Sequence, residues 1–236
     1  MWLLEASPDV DAALALAHRR AAGEPLQYLT GVAGFRHLEL AVGPGVLVPR
    51  PETEQVAQRA LDLLPEGGSL VDIGTGSGAI ALAVAYERRD ARVWATEISA
   101  EALEWARANR DRLRLPVELL QGDLFAPLPS ELHRRMDVIV ANPPYVGEDE
   151  RGSLPTDVVA HEPELALFAD DGLSVIRRLV EQAPDWLAPG GWLVLEISER
   201  HPHEVEALLL GAGFRDVFIE QDLAGKARIA SGALSR

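Results

Sequence analysis

Cysteine is absent from this chain, so neither a disulfide nor a thiolate metal site is open to it, as fits a reducing compartment. Lysine is almost absent as well, with Lys226 alone among 22 cationic residues against 37 acidic ones. The resulting net charge of −15 argues against a protein that grips nucleic acid by neutralising phosphates, which needs clustered cations, but leaves a basic protein partner open. No apolar run reaches the ~18 residues of a membrane span, and the N-terminus lacks the basic-then-apolar pattern of a secretion signal. A cytoplasmic, membrane-free protein is expected. The six histidines show no metal-ligand spacing, and no metal is expected. Asparagine occurs only twice, at Asn109 and Asn142, so it is not used freely as turn filler.

What is present is ordinary globular composition, 47% apolar and 25% charged, in a chain of 236 residues, long enough for one large α/β domain and a small extension. Ser7 followed by Pro8 is a helix start, with Val10, Leu14 and Ala17 at helical spacing and Gly23 as a stop. Over 26–48, Phe35, Leu38, Leu40 and Val42, then Val46 to Val48, flank Gly43-Pro44-Gly45 and predict a β-hairpin turning there. Pro49-Arg50-Pro51 breaks it. A helix is expected over 52–64, with Glu52 and Glu54 suited to its N-terminus. Strands at 69–73, 92–97, 117–121 and 136–141 alternate with helices at 79–87 and 99–112, and such βα repeats give a parallel sheet covered on both faces. Residues 146–171 are expected to be a long irregular loop beside the site. A helix at 172–187, a strand at 192–197, a helix at 203–210 and strands at 214–220 and 227–230 complete the chain.

The chemistry gathers at strand ends. Val138-Ile139-Val140 is a short β-branched run, and Asn142-Pro143-Pro144-Tyr145 then stops the ladder, because proline cannot donate to it. In open α/β sheets ligands bind at such carboxyl ends. Asn142 carries a carbonyl acceptor, and Pro143 keeps its C=O without an N–H; an acceptor-rich turn suits a planar amino group. Upstream, Asp72 precedes Gly74-Thr75-Gly76-Ser77-Gly78, a glycine turn that lets a ligand approach the backbone at a helix N-terminus. Glu97 ends the second strand, where a carboxylate can accept both ribose hydroxyls. Asp123 follows the third, placed to accept from an adenine amino group, with Leu124 able to pack on the ring. The glycine turn and Glu97 alone also fit a nicotinamide-dependent oxidoreductase.

The order of these elements resembles a class I S-adenosylmethionine-dependent methyltransferase of the kind that methylates planar amino groups. Pro25-Leu26-Gln27-Tyr28-Leu29-Thr30-Gly31, Val48-Pro49-Arg50-Pro51-Glu52-Thr53-Glu54 and His161-Glu162-Pro163 are similar, more specifically, to the HemK/PrmC family, the peptide chain release factor glutamine N5-methyltransferases. The resemblance implies a Rossmann-like fold with a seven-stranded, mostly parallel sheet and helices on both faces. It also implies three parts, with a short helical segment over 1–24 and a β-hairpin linker over 25–50 preceding the methyltransferase domain at 51–236. It implies S-adenosyl-L-methionine as cofactor, S-adenosyl-L-homocysteine as product, and the glutamine of the Gly-Gly-Gln motif in class I release factors as methyl acceptor. Family cofactor contacts carry over to Gly74 through Gly78, Glu97, Leu124 and Asn142, and substrate contacts to Asn142 through Tyr145. Asn142, Pro143 and Tyr145 are the expected catalytic residues. Glu97 stands where the family usually has aspartate, and the region before Glu24 is shorter than the usual N-terminal helical domain. A monomer is expected. Competing readings are a nucleic-acid adenine N6-methyltransferase, which uses the same turn, an NAD-dependent oxidoreductase, and an idle adenosylmethionine-binding module.

Overall fold

A computed structural model describes Ser7 and residues 9–235. The first helix, α1 (Val10–Ala21), is capped by Asp9, whose side chain accepts from the Ala12 N–H at 2.8 Å; the expected cap at Ser7 is thereby corrected, and Pro8 lies outside the described residues. A single turn, α2 (Leu26–Thr30), ends at Gly31 with φ of 74°. The hairpin follows as β1 (Val32–Phe35) and β2 (Leu38–Ala41), paired Phe35 to Leu38. Its turn is therefore at Arg36 and His37, not at Gly43-Pro44-Gly45, and Val46 to Val48 form no strand.

The reason for that correction lies in packing. Gly43 and Gly45 lie against the helix at 100–113, and a Cβ on Gly43 would come within 2.6 Å of the Trp105 ring. Glycine serves a close approach here rather than a hairpin turn. Arg36, at φ of 50°, instead turns the hairpin and anchors it: its guanidinium pairs with Glu87 and reaches Gln58, while its N–H donates to Glu54. Asn109 pins the other end, bonding both backbone groups of Ala41 and the carbonyl of Ser77.

The main body alternates as the patterning requires: α3 (Thr53–Leu63), β3 (Ser69–Ile73), α4 (Ala79–Glu87), β4 (Arg92–Glu97), α5 (Ala100–Leu113), β5 (Val117–Gln121) and β6 (Met136–Ala141). The segment expected to be irregular carries a 3₁₀ stretch at Glu148–Ser153 and two short helices, α6 (Thr156–His161) and α7 (Glu164–Leu167). Then come α8 (Ser174–Trp186), β7 (Leu187–Glu196), α9 (Pro202–Gly211), β8 (Phe214–Gln221) and β9 (Ala227–Leu234).

Seven strands form one sheet in the order β5-β4-β3-β6-β7-β9-β8, and only β9 runs against its neighbours. Alternate residues of each central strand enter opposite layers. Leu70, Val138, Val140 and Val194 pack with α3, α4 and α5, whereas Val71, Ile139, Leu193 and Leu195 pack with α8 and α9. Helix α4 is buried from Ala79 to Ala85, since sheet, α3 and α5 leave it no solvent face. The chain moves outward through β3, β4 and β5, then returns to lay β6 on the other side of β3. That reversal opens a crevice at the carboxyl ends of β3 and β6, where such sheets bind ligands.

Candidate active site

One cavity occupies the crevice, and its wall reads strand by strand. From β3 come Asp72 and Ile73, then Gly74, Thr75, Gly76 and Ser77; from β4, Glu97, Ile98 and Ser99; after β5, Gly122, Asp123 and Leu124; after β6, Asn142, Pro143 and Pro144. Gly45 to Leu47, Pro49, Thr53, Pro163, Leu165 and Arg178 close it. The expected residues of four separate strand ends thus meet around one space. Two of them do not line it. Gly78 sits behind the turn as the N-cap of α4, at φ of 86°. Tyr145 packs against the β7 side of the core, its hydroxyl donating to Glu196 at 2.9 Å.

The turn after β3 is held by its neighbours. Gly74 and Thr75 N–H both donate to the Thr96 carbonyl, and Gly76 N–H donates to Glu97 Oε2 at 2.8 Å. The other oxygen of Glu97 accepts from Ser99 N–H at 2.9 Å, so backbone bonds fix this buried carboxylate in place and leave it lone pairs for a ligand. Asp72 is almost fully enclosed; its Oδ2 accepts from Thr75 Oγ1 at 2.6 Å and from Ala81 N–H at 3.2 Å. Its Oδ1 has no partner among the described residues. Burial pushes this carboxyl up to about 7, against the opposing effect of those two hydrogen bonds. A buried oxygen without a partner calls for an explanation, and at a cavity wall a ligand's donor or cation can supply one. Leu124 adopts φ of 47°, uncommon for a non-glycine residue and a cost of order 1 kcal/mol that the surrounding turn must sustain. Asp123 is paired with Arg178 of α8.

Asn142 is tied backward. Its Nδ2 donates to Thr53 Oγ1 at 3.1 Å, and Thr53 Oγ1 donates to Glu196 Oε2 at 2.6 Å. Glu196, the last residue of β7, is buried and accepts from Tyr145 through its other oxygen. Arg228 Nη1 lies 3.4 Å from the Tyr145 hydroxyl. Burial raises the Glu196 carboxyl above its ordinary range, while the hydroxyls of Thr53 and Tyr145 and the charge of Arg228 oppose that rise.

Sequence reasoning passed over Thr53, Glu196 and Arg178 as site residues. Glu196 carried a signal: an acid inside the otherwise apolar run 192–197, on a strand whose register sets Leu195 beside Ala141 and so brings Glu196 level with the start of the Asn142 turn. The β6–β7 pairing needed to read that signal is tertiary information.

Comparisons with known proteins give the family. The model of the methyltransferase small domain family matches residues 54–221. A release factor glutamine methyltransferase from Neisseria gonorrhoeae is 46% identical over 219 residues, which cover 92% of this chain and 79% of that protein. One from Streptomyces coelicolor is 44% identical over 221 residues, covering 90% and 77%. The chain belongs to the release factor glutamine methyltransferase family. Among solved structures, a methyltransferase from Pyrococcus furiosus matches with a TM-score of 0.66 at 21% identity, covering 96% of this chain and all of that one. The hMettl16 catalytic domain, in complex with the MAT2A 3'UTR hairpin 1, matches with a TM-score of 0.65 at 17% identity over 83% of this chain and 74% of that one. At such identities the likeness concerns the fold. Within the family, the Val48-Pro49-Arg50-Pro51-Glu52-Thr53-Glu54 motif acquires a physical role. Arg50 pairs with buried Glu162 at 2.7 Å, and Thr53 reaches Asn142, so the motif joins the 146–171 segment to the strand-end turn.

Proposed function

We propose that this protein transfers the methyl group of S-adenosylmethionine to the side-chain amide nitrogen of the glutamine in the Gly-Gly-Gln motif of class I peptide chain release factors. One observation carries the reading: a single cavity runs from the glycine turn after β3 to the Asn142-Pro143-Pro144 turn after β6, so a cofactor and an amide acceptor can share it. The residues suit the cofactor. Asp72 keeps a buried, unpartnered oxygen for a cationic group, Glu97 has acceptor capacity for ribose hydroxyls, and Leu124 and Ile98 provide apolar surface for a ring.

Bound S-adenosylmethionine supplies an electrophilic methyl on a sulfonium, and the remaining work falls to the chain. An amide nitrogen is a poor nucleophile because its lone pair is delocalised into the carbonyl. With the amino end of Asn142 committed to Thr53, its carbonyl oxygen is the end left to accept an N–H from the incoming carboxamide. The carbonyl of Pro143 is a second acceptor, and two such acceptors hold the nitrogen in one orientation. Positive charge that develops on nitrogen then meets dipoles already in place, and the surplus N–H proton passes to water or through a carbonyl relay after transfer. Tyr145, anchored by Glu196, buttresses this turn from the core side. In this reading the protein acts in the cytoplasm, on a protein rather than on nucleic acid. Its charge of −15 suits a basic partner and opposes an anionic one.

The test offers purified release factor, DNA and RNA side by side with methyl-labelled cofactor, followed by mass spectrometry of the release-factor digest. Label on the Gly-Gly-Gln glutamine is expected. Label on nucleic acid alone would overturn the proposal.

A further inference from the structure

We propose that Glu196 is a positioning residue which, acting through Thr53, decides which end of the Asn142 carboxamide faces the cavity. The proposal rests on the amide-methylation reading above, because only there does the polarity of Asn142 matter.

The amide group of asparagine is nearly symmetric in shape, so packing alone does not choose between its oxygen and its nitrogen. A hydrogen-bond chain does choose. In the ionised form, which burial opposes and the two hydroxyls and the charge of Arg228 favour, both oxygens of Glu196 are acceptors, one for Thr53 Oγ1 at 2.6 Å and one for Tyr145 OH at 2.9 Å. A hydroxyl has one proton. Once Thr53 has given its proton to Glu196, only lone pairs remain for Asn142, which must answer with Nδ2, as observed at 3.1 Å. The carbonyl of Asn142 is thereby left free of Thr53, on a residue that lines the cavity, and is assigned to the incoming amino group. Four residues from three distant parts of the chain, Thr53, Asn142, Tyr145 and Glu196, thus form one directional relay with the acid at its root.

The isosteric change Glu196→Gln separates this from a purely structural role. Glutamine retains shape and one acceptor but brings an NH2 donor. Tyr145 is a poor place for that donor, because its hydroxyl already faces Arg228 Nη1 at 3.4 Å and needs an acceptor for its own proton. The NH2 therefore settles against Thr53, whose proton turns to Asn142. The Asn142 amide then reverses, presenting an amino group where a substrate amino group must bind.

The experiment exploits the scarcity of asparagine. Selective ¹⁵N-asparagine labelling gives two side-chain amide signals, from Asn109 and Asn142. In Glu196→Gln the Asn142 signal is expected to shift and exchange faster with solvent, while Asn109, bonded to Ala41 and Ser77, stays put as the internal control for folding. Methyl transfer to release factor is expected to lose at least ~10-fold in kcat, the scale of one mispaired buried polar group, with the dissociation constant for S-adenosylmethionine unchanged. Thr53→Ser, which keeps the hydroxyl, is expected to retain turnover, and Thr53→Val to lose it as Glu196→Gln does. An Asn142 signal unmoved in Glu196→Gln would overturn the proposal, and so would full kcat in that variant. If the wild-type protein methylates no release factor, the functional reading fails, yet the amide signals still decide the relay.

Discussion

At the scale of single residues, Asn142 and Asp72 face the same cavity with opposite demands. Asn142→Ala removes the acceptor while leaving the glycine turn untouched. Turnover is expected to fall by at least ~10²-fold, as for loss of one charge-stabilising group elsewhere, with cofactor affinity by calorimetry within a few-fold. Equal loss of both would make Asn142 a structural residue. Asp72 gives a pH signature. Its carboxyl in the fold, at about 7, lies above the ordinary 3.8, so the folded chain holds that proton longer than the unfolded one. Stability of the free protein therefore falls as pH rises between those values, and Asp72→Asn is expected to flatten that slope in thermal melts. In the bound state the sign inverts. Ionised Asp72 suits a cation, so wild-type affinity for S-adenosylmethionine is expected to weaken from about pH 8 to about pH 6, while the Asn variant binds more weakly throughout. A wild-type affinity flat across that range, equal to that of the variant, would remove Asp72 from the site.

At the scale of elements, the site depends on how the 146–171 segment is held. Its short helices, α6 and α7, have four to six residues each, too few to persist alone. Tertiary ties supply the order: Val146 bridges Phe168, and buried Glu162 pairs with Arg50. Arg50→Ala leaves a buried carboxylate without its partner. Because Arg50 is about one-third exposed, a loss of about 1–3 kcal/mol is expected rather than the full penalty of a dry pair. Limited proteolysis should then cut 146–171 faster, and adding Glu162→Gln should restore part of the melting temperature by removing the charge. A double variant no more stable than the single one contradicts this account. The segment reads as irregular in sequence because its helices are shorter than the window in which periodicity can be seen.

At the scale of the whole molecule, one sheet delivers four strand ends to a single crevice, so ligand binding should be felt by the entire fold. S-adenosylmethionine at about 100 times its dissociation constant adds about 2.7 kcal/mol to stability. For a chain of this size that corresponds to a rise in melting temperature of roughly 5–10 °C, whereas NADH at equal concentration should give none. A rise with NADH alone would favour the dinucleotide reading that the glycine turn shares. The −15 charge makes a further contrast, since any contact with a basic partner should weaken as salt increases.

The alternation of β-branched runs, glycine turns and amphipathic helices determined the parallel sheet, and the residues Gly74, Glu97, Asp123 and Asn142 were legible as strand-end chemistry because strand ends are local features. The hairpin turn at Arg36 was not legible, since the glycines at 43 and 45 answer to the Trp105 and Glu101 side chains of a helix 60 residues away rather than to a local turn. Nor was the relay from Glu196 through Thr53 to Asn142. Hydrogen-bond direction depends on which groups meet across strands and helices far apart in the chain, and only the folded sheet, by pairing β6 with β7 and seating α3 beside them, brought those groups within reach.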